Sequence, residues 1–150
     1  MSNQQAVSAW RLILLTDLNR HGDFGLLLIR LVTGAFLIYQ SHDNVFSTER
    51  MNEFETFLTQ FAFVYPSLMA PLSVYFQFAA GIAFILGLLT RWFGLITSFN
   101  FGVAVWMVHW ADTVPGIWPA GILIFLGLYL GLRGSGQYAL DAYLQRDELS

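Results

Sequence analysis

The 150-residue chain has no cysteine and no lysine, and only 11% of its residues are charged. Without cysteine it can form no disulfide, zinc–thiolate site, covalent c-type haem link, iron–sulfur cluster or thiol relay of its own. Seven arginines against ten acidic residues leave a net charge of −3, which excludes a nucleic-acid binder that works by counterion release. An average soluble domain carries roughly 25% charged residues. So few charges cannot coat a water-facing surface of this size, and none at all falls between Thr56 and Thr90. No Gly-x-Gly-x-x-Gly stands between a strand and a helix, so the dinucleotide fingerprint is missing too. The first apolar run, Trp10 to Leu15, contains Arg11, is short, and is followed by no small-residue cleavage site, so no secretory signal is expected.

What the chain does have is apolar length. Hydrophobic residues make up 56% and aromatic residues 17%. A helix needs about 20 mainly apolar residues to cross the hydrocarbon core, and four stretches qualify: Phe24 to Ser41, Leu68 to Leu89, Trp92 to Ala111 and Thr113 to Leu132. Pro115 and Pro119 sit in the first turns of the last stretch, where proline is best tolerated. The expected fold is an all-α bundle of four transmembrane helices. It divides into a weakly amphipathic N-terminal segment (1–23), a membrane domain (24–132) and a C-terminal segment (133–150). Arg11, Arg20, Arg91, Arg133 and Arg146 fall on one side and Arg50 alone on the other. The positive-inside rule then puts both termini in the cytoplasm, for a multi-pass protein of a bacterial-type inner membrane.

The connections carry further signals. Only Thr90 and Arg91 separate the second and third spans, which makes those two antiparallel neighbours. From Met51 to Phe63, apolar residues recur at helical spacing opposite Asn52, Glu53, Glu55, Thr56 and Gln60, as in an amphipathic helix lying in the outer interface. Val7, Trp10, Leu14 and Leu18 suggest a weaker one on the cytoplasmic side. Small residues every fourth position (Ala79, Ala83 and Gly87; Gly94, Ser98 and Gly102; Gly127 and Gly131) suggest seams where helix backbones approach closely. No internal repeat is evident.

Polar groups at membrane depth are expensive, so each asks for a reason. Arg30 lies some six residues, roughly 9 Å, inside the first span, and a charge pair with Asp141 is expected, Asp23 being the other candidate. Towards the outer side, Gln40, His42 and Asp43 close the first span and His109 closes the third. Tyr39 and Trp106 lie one turn deeper, and Gln77 sits mid-membrane in the second span, with Asn100 deeper still in the third. An outward cavity lined by Tyr39, His42, Asp43, Gln77 and His109 would suit a quinone head group, which needs hydrogen bonds to two carbonyls and a route for protons. His, Trp and Tyr also favour interfaces merely as apolar bodies with polar tips, and Gln77 and Asn100 also fit plain interhelical glue. A haem on His42 and His109, or a metal on His42, Asp43 and His109, has no further pattern behind it; no resident metal is expected.

Several pieces, in order, resemble the DoxX family of small four-span membrane proteins over roughly Phe24 to Leu144. They are Leu28-Ile29-Arg30-Leu31 with Gly34, Gly81-Ile82 leading to Leu86-Gly87-Leu88-Leu89-Thr90-Arg91, Val103-Ala104 running to His109, and Gly134-Ser135-Gly136-Gln137-Tyr138-Ala139-Leu140-Asp141. The resemblance implies the membrane subunit of a quinone-linked oxidoreductase complex, since relatives include subunits of a thiosulfate:quinone oxidoreductase. Quinone is then the expected cofactor, with none intrinsic to the chain, and the partners are membrane lipid and a protein that oxidises substrate. The alternative is a non-enzymatic scaffold or assembly factor. Many relatives carry an acidic residue where Gln77 stands, so any proton-carrying role of that carboxylate is lost here.

Overall fold

The computed structural model describes residues 21–147. Every regular element among them is helical: α1 (Gly22–Phe46), α2 (Thr48–Gln60), α3 (Pro66–Leu86), α4 (Thr90–Met107), α5 (Val114–Arg133) and α6 (Leu140–Asp147). The amphipathic pattern expected at Val7 to Leu18 lies outside the described residues.

Helices α1, α3 and α5 are long and apolar enough to cross a membrane. At most 33% of the residues in their most apolar windows are buried, so most of their apolar side chains face outward, the arrangement of a protein solvated by lipid rather than water. The chain is a multi-pass membrane protein. The expected third span, α4, is 18 residues long. With Arg91, Thr97, Ser98 and Asn100 along it, it is not among the three.

Boundaries move for physical reasons. Helix α1 runs past the expected Ser41 to Phe46, carrying His42, Asp43 and Asn44 on its last turn, because no glycine or proline stops it sooner. Ser47 then adopts an extended conformation and its hydroxyl accepts from the Arg50 N–H at 3.3 Å, capping α2. Pro66 opens α3 at a position where its missing N–H costs nothing. The α3–α4 connection is Gly87-Leu88-Leu89, not Thr90-Arg91, which already belong to α4. Gly87 ends α3 at φ +70°, and a Cβ there would lie 2.5 Å from Ala139 Cβ and 2.7 Å from Arg30 Nη2, so both backbone and space call for glycine.

The long helices pack as two antiparallel pairs, α1 with α3 and α4 with α5. At Gly34 a Cβ would sit 2.6 Å from the Gly81 carbonyl oxygen, and at Gly94 one would sit 2.7 Å from the Gly127 carbonyl oxygen. Close backbone approach of this kind substitutes for hydrophobic drive inside lipid. The expected seam is thus corrected in part. Gly94, Ser98, Gly127 and Gly131 pack as foreseen, but Ala79 is exposed, a Cβ at Gly102 would meet open space, and Gly34 with Gly81 form the contact between α1 and α3.

Each pair also uses the same terminal device. Arg30 donates to the last-turn carbonyls of α3, Nε to Phe84 O at 2.9 Å and Nη2 to Ile85 O at 3.4 Å. Arg91 does likewise to the last turn of α5, Nη1 to Gly131 O at 3.3 Å and Leu132 O at 2.7 Å. Where the sequence gives no repeat, the structure shows one: an arginine caps the partner helix and a glycine one turn on meets a partner glycine. Leu26, Leu37, Phe84, Phe101, Leu123 and Leu130 form the shared core of the pairs, and Phe76 stacks on Phe93 across the α3–α4 boundary at 5.6 Å.

Helix α2, expected between Met51 and Phe63, begins earlier and ends at Gln60. It buries Leu58 alone and half-buries Met51 and Phe54, while Glu49, Glu53 and Thr56 stay exposed.

Candidate functional site

Hydrogen bonds between side chains link three helices, α1, α3 and α4. Gln40 Nε2 on α1 donates to Gln77 Oε1 on α3 at 2.6 Å. Gln77 Nε2 donates to Ser73 Oγ, one turn along the same helix, at 2.9 Å. Ser73 Oγ in turn donates to Asn100 Oδ1 on α4 at 3.0 Å. The chain therefore crosses both helix pairs. Gln77 lies about 16 Å from the start of α3, near the middle of that helix. Gln40 is exposed at the lateral surface, while Gln77, Ser73 and Asn100 are half-buried. An amide facing hydrocarbon is costly unless something pairs with it. No proton-titrating group takes part, so the chain presents donors and acceptors without charge.

The residues expected to share one outward cavity fall into three groups. Tyr39, His42 and Asp43 stay together at the end of α1. The His42 ring lies 5.9 Å from that of Tyr39, with Nδ1 2.6 Å from the Tyr39 carbonyl oxygen and Nε2 2.9 Å from Asp43 Oδ1. A neutral imidazole has one N–H and serves one of these acceptors at a time. Tyr39 itself is 75% exposed. Gln77 belongs to the amide chain instead. His109 lies beyond the end of α4 at Met107, not on a span, and pairs with Asp112 in the α4–α5 connection, Nδ1 to Oδ2 at 2.7 Å. No group of three metal-ligating side chains occurs among the described residues.

The Arg30–Asp141 pair is corrected in form. Arg30, 1% exposed, gives its guanidinium to carbonyls alone: Phe84, Ile85, Ser135 and, at 3.1 Å, Tyr138. Asp141 accepts from the backbone N–H groups of Leu89 at 2.8 Å and Thr90 at 3.1 Å, the first amides of α4. Helix ends supply the complementary partial charges, so each ionic group is satisfied without touching the other. The other candidate, Asp23, pairs with Arg133 at 2.8 Å. Together these contacts tie the end of the bundle that carries the α3–α4 turn, the segment after α5 and the start of α1.

A cavity of about 470 Å³ opens at the opposite end, where α1 gives way to α2, lined by Asp43, Asn44, Arg50, Glu53, Phe54 and Phe57. Arg50 pairs with Glu53 at 2.8 Å. That hydrogen bond, then the charge of Glu53, holds the Arg50 guanidinium above its ordinary pKa, so it stays cationic. Of the cavity residues, the sequence pointed only to Asp43.

Gln40 lies outside the cavity expected from the sequence, and Ser73 is a member of the chain that no polar pattern marks. The available signal for Ser73 was its spacing, four residues before Gln77 and so on the same helix face.

A family model described as DoxX matches residues 25–110. A search of curated proteins and a search of solved structures returned no match.

Proposed function

The chain belongs to the DoxX family, and from that premise we propose that it is the membrane subunit of a quinone-linked oxidoreductase complex in a bacterial inner membrane. All four long helices span, both termini are cytoplasmic, and α2 lies in the outer interface. The arginine distribution supports this orientation. The Gln40–Gln77–Ser73–Asn100 chain then lies from the midplane towards the outer leaflet.

That chain is the observation that carries the reading. Quinone supplies a lipid-soluble acceptor for two electrons and two protons, and its head group is recognised through its carbonyl oxygens. Gln40 presents an amide to the bilayer, where such a molecule diffuses, and the amide can both donate and accept. Gln77, Ser73 and Asn100 fix the orientation of Gln40 from behind, which keeps its hydrogen-bonding groups aimed outward. The ligand route is thus lateral, from lipid. None of the four residues can carry a proton by titrating, so protons reach the site through water or the partner. Substrate oxidation belongs to the partner protein, since the chain has neither cysteine nor a dinucleotide fingerprint.

The test is a titration of the purified protein in nanodiscs with a short-chain quinone, read by tryptophan quenching. Gln40→Leu and Gln77→Leu are expected to weaken binding at least tenfold, and His109→Ala to leave it unchanged. Equal binding by all four proteins would remove the chain as the site.

A second reading, a scaffold for a partner protein, is favoured by α2, whose Glu49 and Glu53 are exposed. Under it, Glu49→Lys with Glu53→Lys releases the partner while quinone binding is absent from the start.

A further inference from the structure

The cavity at the α1–α2 corner is separate from the amide chain and has a chemistry of its own. It lies where α1 ends at Phe46 and α2 begins at Thr48, so the negative end of one helix dipole adjoins the positive end of the next. Its lining holds two carboxylates, one guanidinium, two phenyl rings and the Asn44 amide, which donates to the Arg50 carbonyl oxygen at 3.1 Å. Each ionic group is only partly engaged. Asp43 meets His42 through Oδ1 at 2.9 Å, and Glu53 meets Arg50 Nη1 through Oε2 at 2.8 Å. No hydrogen bond among the described residues uses Asp43 Oδ2, Glu53 Oε1 or Arg50 Nη2, and all three side chains are more than 50% exposed. The side chains of Phe54 and Phe57, with ring centroids 6.2 Å apart, form an apolar wall beside them.

A ligand that matches this lining carries one cation and one anion a few bonds apart, joined to an apolar body. The depression is wide open and mostly polar, so it suits a headgroup lying on the surface with its tail outside rather than an enclosed small molecule. The cavity also stands where the apolar stretch of α1 gives way to charged residues, which is headgroup level for a spanning helix. We propose that it binds the headgroup of a zwitterionic aminophospholipid, with Asp43 and Glu53 holding the primary ammonium and Arg50 the phosphate. A primary ammonium donates three hydrogen bonds and so satisfies both free carboxylate oxygens. The quaternary ammonium of a choline lipid donates none, and an anionic glycerol lipid brings no cation to a lining whose own charge is −1. The bound lipid would pin α2 to the end of α1, its acyl chains passing over Phe54 and Phe57. The inference does not depend on the quinone reading.

The experiment is native mass spectrometry of the full chain, released from mixed micelles holding equal amounts of phosphatidylethanolamine, phosphatidylcholine and phosphatidylglycerol. One phosphatidylethanolamine per chain is expected, retained at least tenfold over the other two. Asp43→Asn with Glu53→Gln, and separately Arg50→Gln, should abolish that preference, while Glu49→Gln, outside the lining, keeps it. Circular dichroism checks that each variant is folded; if one is not, selectivity of the wild type decides. Equal retention of the three lipids, or unchanged preference in the lining variants, would overturn the proposal. So would displacement of the lipid by millimolar glycerophosphoethanolamine, which would make a soluble phosphoethanolamine the ligand.

Discussion

Replacing Gly81 by alanine probes the α1–α3 seam directly. The added Cβ would lie 2.7 Å from the Gly34 carbonyl oxygen, 2.7 Å from Ile38 Cγ1 and 3.1 Å from the Ile38 nitrogen. Two of these three are backbone atoms that no rotamer change can clear, so α1 and α3 must separate by several tenths of an ångström along the seam. Overpacking of that kind costs about 1–3 kcal/mol, against a helix-propensity gain of roughly 0.5–1 kcal/mol for alanine over glycine. The net expectation is a loss of up to about 2.5 kcal/mol. Gly102→Ala makes the control, since a Cβ there meets nothing within 4 Å; it should be neutral or stabilise by up to about 1 kcal/mol. Combining Gly34→Ala with Gly81→Ala should cost less than the sum of the two, because the first substitution already opens the gap the second needs. Unfolding by SDS titration in mixed micelles reads the wild type, the three single variants and the double variant on one scale. If Gly81→Ala is as stable as Gly102→Ala, close backbone contact does not hold this pair together.

Other substitutions separate the remaining contacts. Arg30→Met leaves the buried Phe84 carbonyl and the half-buried Ser135 carbonyl without their donor and should cost about 2 kcal/mol or more, at roughly 1–3 kcal/mol for each unpaired group, seen as lost thermal stability in detergent. Asp141→Asn keeps one acceptor for the Leu89 and Thr90 amides and should be milder than Asp141→Ala in the same assay. Exchanging the two charges, Arg30→Asp with Asp141→Arg, should not restore stability, because each group serves backbone rather than the other; recovery to the wild-type melting temperature would mean they act as a direct pair. Gln40→Leu leaves the half-buried Gln77 Oε1 without its donor and should cost about 1 kcal/mol or more, while weakening quinone binding.

The helical class and most of the long segments were legible because apolar length and proline position act locally. Boundaries were less so. Nothing in residues 42–46 announces that α1 continues, and Gly87, read as a seam residue, is the turn that ends α3 at positive φ. Arg30 was recognisable as a residue needing partners, but hydropathy patterns treat partners as side chains, whereas its acceptors are carbonyls at a helix end. The same blindness hid the duplicated arginine–glycine device, which depends on backbone atoms and leaves little trace in residue identity. At the candidate site, Gln77 stood out as a polar residue in an apolar run. Gln40 and Asn100 stood out as well, but their joining it in one chain did not, since they come from helices whose rotation about their axes the sequence leaves open. His42 and His109 sit near the ends of two long helices, but a residue near the end of a helix has its own loop to bond to, and His109 turns to Asp112.

The central claim is that the amide chain meets a quinone head group arriving from the bilayer. Photo-crosslinking the chain in native membranes with an azido-quinone, followed by peptide mapping, tests it most directly. The account predicts labelling confined to segments of α1, α3 and α4 around Gln40, Gln77 and Asn100, suppressed by excess unlabelled quinone and lost in Gln40→Leu. Labelling centred on His109 and Asp112, or labelling that excess quinone does not suppress, would contradict it.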